Sequence, residues 1–242
     1  MTAASSHAGK RPPVFISAPI AALVEGIYRA DTTIGDVRAR GNHGLGTFND
    51  LDGEMILIDG TVYCLRPEGS AEIVGDEVRT PFAVATDFIG DTEEVFDRPL
   101  SAHEFEAALK DMIPSPNLVY AVRIDGSFSQ VRARSVPKQS NYVPLAEVAK
   151  VQTIFDFRDV EGSLVGFFTP NFLDSVYVPG FHLHFIDAGR TLGGHVMGAA
   201  PAAVTVRLQH APMVELGLPL TLDFLTMERT RDIEADLNEV ER

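Results

Sequence analysis

Three histidines stand at the spacing of a metal site: His182 and His184 in Val178-Pro-Gly-Phe-His-Leu-His-Phe-Ile186, and His195 in Gly193-Gly-His-Val196. Large apolar residues alternate with histidine from Phe181 to Ile186, the period-2 signature of a strand. Asp187-Ala-Gly-Arg190 supplies turn chemistry, and Thr191 onward reads as a return strand. A hairpin closing evenly about Ala188-Gly189 sets 182 opposite 195 and 184 opposite 193. Cross-strand partners share a face, so the three imidazoles gather on one side, with Gly193 leaving space beside them. A lone buried histidine is ordinarily a hydrogen-bonded core residue. Three facing one way beside a vacancy make a ligand shell for zinc or a similar divalent ion.

Other chemistry-bearing residues are less specific taken one at a time. Glu54 opens an apolar run on the face of Ile56 and Ile58, where a carboxylate is ordinarily solvated. Arg123, Arg132 and Arg134 form the one dense basic stretch. A guanidinium lining a pocket could hold a substrate carboxylate with two parallel hydrogen bonds. The Gly-rich run 44–54 lacks a following Lys-Ser/Thr and opens no helix, so it is not a phosphate-cradling loop. His103 falls in the first turn of a capped helix, a solvated position.

The elements that must position these groups are legible in outline. Asp59-Gly60 and Asp125-Gly126, each between apolar runs, predict two tight hairpins. Helices are expected at 17–27 with Ser17 as cap, after a cap at Asp31 or Thr32, from Ser101 with Glu104 closing a capping box, at 144–155, and over 230–242. Strands are expected at 72–80, 83–88, 164–168, 175–178 and 203–208, with an edge strand in 213–224. Both halves mix strands with a helix, an α+β pattern with antiparallel or mixed sheets. The expected boundary separates a domain at 13–147 from one at 148–242. In the tail, Ile233, Leu237 and Val240 form an inward stripe; Glu241 flanks it and Glu239 points away.

Composition narrows the partners. A chain of 242 residues, 45% hydrophobic, can build a sizeable core, and its net charge of −14 disfavours nucleic acid and anionic membrane surfaces. No apolar run reaches membrane-spanning length, and the first dozen residues lack the apolar stretch of a signal peptide. The single cysteine, Cys64, excludes an intrachain disulfide and sits in a strand-like setting. A cytoplasmic protein is the simplest expectation.

Gly-Leu-Gly-Thr-Phe-Asn-Asp-Leu-Asp-Gly-Glu (44–54), Arg-Ser-Val-Pro-Lys-Gln (134–139), Val-Glu-Gly-Ser-Leu-Val-Gly-Phe (160–167) and the histidine segments together resemble the alpha-acetolactate decarboxylases, in order from about residue 14 to the C-terminus. The resemblance implies a zinc carboxy-lyase that turns (S)-2-acetolactate, a 2-hydroxy-3-oxo acid, into (R)-acetoin and carbon dioxide. It implies zinc on His182, His184 and His195, and active-site roles for Thr47, Glu54 and Arg134. Its C-terminal glutamate falls on Glu241, with Glu239 the alternative. It further implies two sheet-containing α/β domains, a tail returning to the metal, and a homodimer. Losing carbon dioxide leaves an electron pair that the neighbouring ketone accepts as an enediolate, which a Lewis acid stabilises more than the substrate. Arg134 is then assigned to the substrate carboxylate or the developing oxyanion. Proton delivery by Arg134 is the alternative, but an ordinary arginine is a very weak acid, which favours Glu54, Glu241 or metal-bound water as the proton source; Thr47 orients a neighbouring group. Rival readings are a non-catalytic metal- or ligand-binding β module, which needs the three histidines alone, a DNA-associated domain, which needs a basic face that the net charge disfavours, and, as the rival enzyme, a cupin-type oxygenase.

Overall fold

Glu54-Met-Ile-Leu-Ile58 is apolar at both strand parities, a pattern that demands cover on both faces. The structure is a computed structural model that describes residues 11–140 and 143–240, with 238–240 by backbone alone, and in it every residue of this run is buried. Along the chain come β1 (Val14–Ile16), α1 (Ile20–Val24), α2 (Ile34–Arg38), β2 (His43–Thr47), β3 (Glu54–Ile58), β4 (Thr61–Leu65), β5 (Ala71–Ile73), β6 (Ala83–Thr86) and β7 (Thr92–Phe96). Then follow α3 (Ala102–Asp111), β8 (Val119–Ser135), α4 (Leu145–Ala149), β9 (Thr153–Thr169), β10 (Gly180–Asp187), β11 (Gly193–Ala211), β12 (Val214–Leu216), α5 (Leu222–Leu225) and α6 (Ile233–Val240).

Two sheets result, and the class is α+β as expected. The first runs β12-β1-β6-β2-β3-β4-β5, and its β1–β12 pair is parallel. The second runs β10-β9-β8-β11-β7, and β10 also pairs with β11, so four strands close into a ring. Strand β3 explains how the sheets meet. Met55 and Leu57 pack with Ile34 and Val37 of α2, while Ile56 and Ile58 pack with Val165 and Ile186 of the second sheet. Residue 148, the expected division of the chain, lies inside α4. The sheets do not divide there: β7 and β8 join the second, and β12 returns to the first.

Several local expectations need correcting. Asp59-Gly60 does close a hairpin, with positive φ at both residues (52° and 77°) and Ile58 opposite Thr61. Asp125-Gly126 does not: β8 runs straight through it. The Asp125 carboxylate is held by Arg123 of its own strand and by Ser163 and Arg207 of the strands on either side, at 2.9, 2.7 and 3.0 Å. Gly126, at φ 148°, lies where a Cβ would stand 2.3 Å from the Ala203 carbonyl, so glycine serves close strand approach instead of a turn. Ser17 caps no helix; its hydroxyl accepts from Ala83 N, and Pro19 precedes α1. The α2 cap is Thr33, one residue beyond the expected pair, with Asp36 completing a capping box. Of 72–80 only β5 is a strand, and 175–178 is irregular chain after a single 3-10 turn at Asn171–Leu173. Helix α4 stops at Ala149 because Thr153 onward pairs with β8, tertiary pairing overriding helical spacing.

The capping box at Ser101 and Glu104 opens α3 as expected, and His103 is exposed. The tail helix forms too. Eight residues are too few for an isolated helix, so α6 depends on docking. Ile233 and Leu237 are buried in the core that holds α1 and α4, a burial that contributes about 1.5–3 kcal/mol per side chain. Glu25, after α1, accepts from the Thr230 and Arg231 amides at 2.7 and 2.9 Å, and Arg231 pairs with Asp236. No helix among the described residues is long and apolar enough to cross a membrane.

Candidate metal centre

His182, His184 and His195 are all buried, and their ligand atoms lie within 4.8 Å of one another. Among the described residues no other group of His, Cys, Asp and Glu converges in this way. Strand pairing builds the arrangement: His195 on β11 stands directly opposite His184 on β10 and Arg134 on β8, a row across three strands on one face. The even closure expected for the hairpin is wrong by two residues. Asp187 is the cause. Its carboxylate accepts from Thr191 N and Leu192 N, both at 2.7 Å, and its amide donates to Leu192 O, which makes a five-residue loop with Arg190 at φ 57°. A shift of two preserves face parity, so the histidines still converge. Gly193 moves opposite Ile186, and it is no vacancy: a Cβ there would lie 2.8 Å from Leu65 Cδ2.

The tautomer of His184 can be assigned. His184 Nδ1 lies 2.7 Å from the Met55 carbonyl of the first sheet, so it carries the proton and donates. In the neutral ring Nε2 then presents its lone pair to His195 Nδ1, 3.3 Å away. Two ligands about 2.0–2.1 Å from one tetrahedral ion stand at about that separation. Glu54 brings Oε2 to 3.7 Å from His184 Nε2. Ring nitrogens of His184 and His195 and a carboxylate converging in a buried space form a donor set that suits a divalent cation.

Thr47, Glu54 and Arg134 fall around the same cavity, about 50 Å³, several times the space one water needs. Thr47 and Glu54 are cross-strand partners on β2 and β3, and both line it. Thr47 Oγ1 donates to Gly53 O at 2.8 Å, fixing the backbone that leads into Glu54. Arg134 is buried in the lining, whereas Arg132, on the same strand face, is half exposed and reaches Asp156 at 3.8 Å. Glu241 lies outside the described residues, as does the side chain of Glu239, but Leu237 of the same helix lines the cavity.

Sequence reasoning missed the aliphatic lining from α1 and α4 (Ile20, Leu23 and Leu145) and the Met55 carbonyl that orients His184. A backbone carbonyl leaves no trace in residue type. Tyr177, expected in a strand, instead tilts its ring against His182 with centroids 5.5 Å apart. Cys64 is buried on β4, and burial pushes its thiol up to about 12, so it is no nucleophile.

This geometry has close relatives. The family model described as alpha-acetolactate decarboxylase matches residues 14–230. The alpha-acetolactate decarboxylase of Methylococcus capsulatus is 39% identical over 229 residues, 94% of this chain and 88% of that protein. That of Bacillus subtilis is 42% identical over 203 residues, 84% and 80% of the two chains. A crystal structure of alpha-acetolactate decarboxylase from Bacillus subtilis superposes with a TM-score of 0.92 at 38% identity, covering 95% of this chain and 99% of the other. Likeness of this extent, in sequence and in backbone, leaves one assignment: the chain belongs to the alpha-acetolactate decarboxylase family.

Proposed function

We propose that this cavity decarboxylates (S)-2-acetolactate to (R)-acetoin, with zinc on His182, His184 and His195. The observation that carries the reading is the meeting of three imidazoles, Glu54 and Arg134 in one small cavity, within a chain of this family. Zinc held by His182, His184 and His195 would supply positive charge that stabilises the charge developing on the substrate. The substrate's C–CO2 bond breaks, and its electron pair passes from the hydroxyl-bearing carbon into the adjacent ketone. Protonation of that carbon then completes acetoin.

The chain's own residues do the rest. Arg134, always charged and planar, holds the departing carboxylate or the growing oxyanion by its fork of N–H donors. Glu54 holds the mobile proton at Oε2, and the tail carboxylate at Glu241 or Glu239 shares that work. Thr47 positions the Gly53–Glu54 backbone and does not react. Delivery of the proton from one side of the cavity yields a single enantiomer. A reduced, cytoplasmic setting suits the lone buried thiol.

Carbon dioxide release from racemic 2-acetolactate tests this reading, together with chiral analysis of the acetoin and metal content before and after chelation. Full turnover by chelated, metal-free protein would sink the metal role, and an inert metal-loaded protein would sink the activity.

The protein also has a surface suited to a homodimer. From 216 to 222 every second residue is an exposed leucine, from 41% at Leu216 to 81% at Leu220, beside the edge strand β12. That stretch carries no charge in a chain of net −14, and the neighbouring Glu215 is paired with Arg40 at 3.0 Å. A two-fold contact between copies there buries apolar area without opposing like charges. Sedimentation should show a dimer that Leu220→Glu dissociates; a monomeric wild type would refute it.

A further inference from the structure

The lining of the candidate catalytic cavity sorts into two chemistries. Thr47, Glu54, Arg134 and the imidazoles are polar, and the remainder is aliphatic or aromatic apart from Gly46. A larger cavity, about 340 Å³ against about 50 Å³, adjoins it, and Val178 and Leu237 are the residues that line both. The outer cavity is otherwise walled by Asn171, Asp174, Pro179, Gly180 and Glu234. Val178 comes from the irregular chain before β10, four residues ahead of His182, and Leu237 comes from α6. Both side chains are buried in the same core cluster. They are the partition between a small reaction space and a space several times its size.

We propose that Val178 and Leu237 are specificity-determining residues that limit the length of the alkyl group at the substrate's reacting carbon. The inference rests on the decarboxylase reading above and deepens it. A 2-hydroxy-3-oxo acid carries its three polar groups on adjacent carbons, and the polar lining is matched to those. Its alkyl substituents are what remains to meet the aliphatic lining. A methyl group fits within the inner space, whereas a longer chain must displace the partition. Truncating either side chain joins the inner cavity to the outer one and gives a longer chain room. One methylene in an apolar pocket is worth about 10–200-fold in discrimination, so the partition has a measurable effect on substrate choice.

The test compares wild type, Leu237→Ala, Val178→Ala and Leu237→Met on 2-acetolactate and on homologues whose 2-methyl is replaced by ethyl, propyl or butyl. The readout is the ratio of kcat/KM for the propyl homologue to that for acetolactate. It should rise at least about tenfold in both alanine variants and stay at the wild-type value in Leu237→Met, which conserves volume. Lost packing alone lowers turnover of every substrate and leaves the ratio unchanged. Val178→Ala leaves α6 intact, so the result does not hang on how well Leu237→Ala folds. A wild-type ratio in the folded alanine variants overturns the inference while the decarboxylase reading stands. A wild-type protein inert toward acetolactate itself overturns both.

Discussion

His184 and His43 both bridge the two sheets by a ring nitrogen bonded to a backbone carbonyl, yet their surroundings differ completely. His184 Nδ1 donates across to Met55 O at 2.7 Å, and His43 Nε2 donates to Gly166 O at 3.2 Å. Each ring is 1% exposed. Beyond His184 lie His195, Glu54 and the cavity. Around His43 lie Phe88, stacked at 4.7 Å, and Phe167, edge-on at 5.7 Å. Phe167 packs on Tyr177, which leans on His182, so aromatic rings link the two regions. The shared bond fixes the tautomer in both places. What the second nitrogen faces decides whether the ring is a ligand or a core residue.

Removing the ring at the cavity end should have the largest effect. His184→Ala deletes a donor and the bond to Met55 together. A Lewis acid contributes several kcal/mol at the transition state, so turnover should fall at least about a thousandfold. Metal content measured on the same samples should fall with it. A variant that keeps its metal and its turnover would place His184 in the same class as His43.

Arg134→Lys comes next. It keeps the charge beside His195 but loses the planar fork, and a lost oxyanion donor costs about 10²–10³ in kcat. Metal content should be unchanged, which separates this loss from that of a ligand. Near-normal turnover would show that charge alone suffices. Deleting residues 238–242 should cost about a hundredfold, the scale of a missing acid–base group. Leu237 remains in that variant, so folding and metal binding should persist by thermal melting and metal analysis. Surviving turnover would assign proton transfer to Glu54.

The same contrast explains what the sequence could reveal. Face parity depends only on odd or even spacing, so the grouping of His182, His184 and His195 survives a two-residue error in hairpin register. Register itself was set by Asp187 bonding its own loop, which no alternation pattern encodes. The identical dipeptides Asp59-Gly60 and Asp125-Gly126 went separate ways for a tertiary reason: Arg123 bonds both carboxylates, but only Asp125 is also held by Ser163 and Arg207 of the strands on either side. Arg132 and Arg134 share a strand face, and strand period could not tell which of them is buried; the family resemblance chose Arg134 correctly for burial. His43 passed without notice in the sequence because a single histidine in a glycine-rich run has no partner at a telling spacing.

The smallest effect on catalysis, and a distinct one on stability, should come from His43. Burial pushes its imidazole down to about 4, against the opposing pull of the bond to Gly166 O. Its Nδ1 has no hydrogen-bond partner among the described residues, so a proton there would sit uncompensated among aromatic rings. In the unfolded chain the same group titrates near 6.5. Between those values the unfolded state binds a proton that the folded state refuses, and stability must fall as pH falls. The contribution is fully present above about 6.5 and lost by about 4, an interval that corresponds to roughly 3 kcal/mol. His43→Gln keeps an N–H donor for Gly166 O and cannot charge in this range. Denaturant unfolding of both proteins at several pH values should therefore give curves that run together near neutrality and diverge toward pH 4, with the variant losing less. The difference between them isolates His43 from every group that the two proteins share. Parallel curves across that window would mean that the folded protein accommodates a charged His43, and that the two ends of the seam differ less than their surroundings imply.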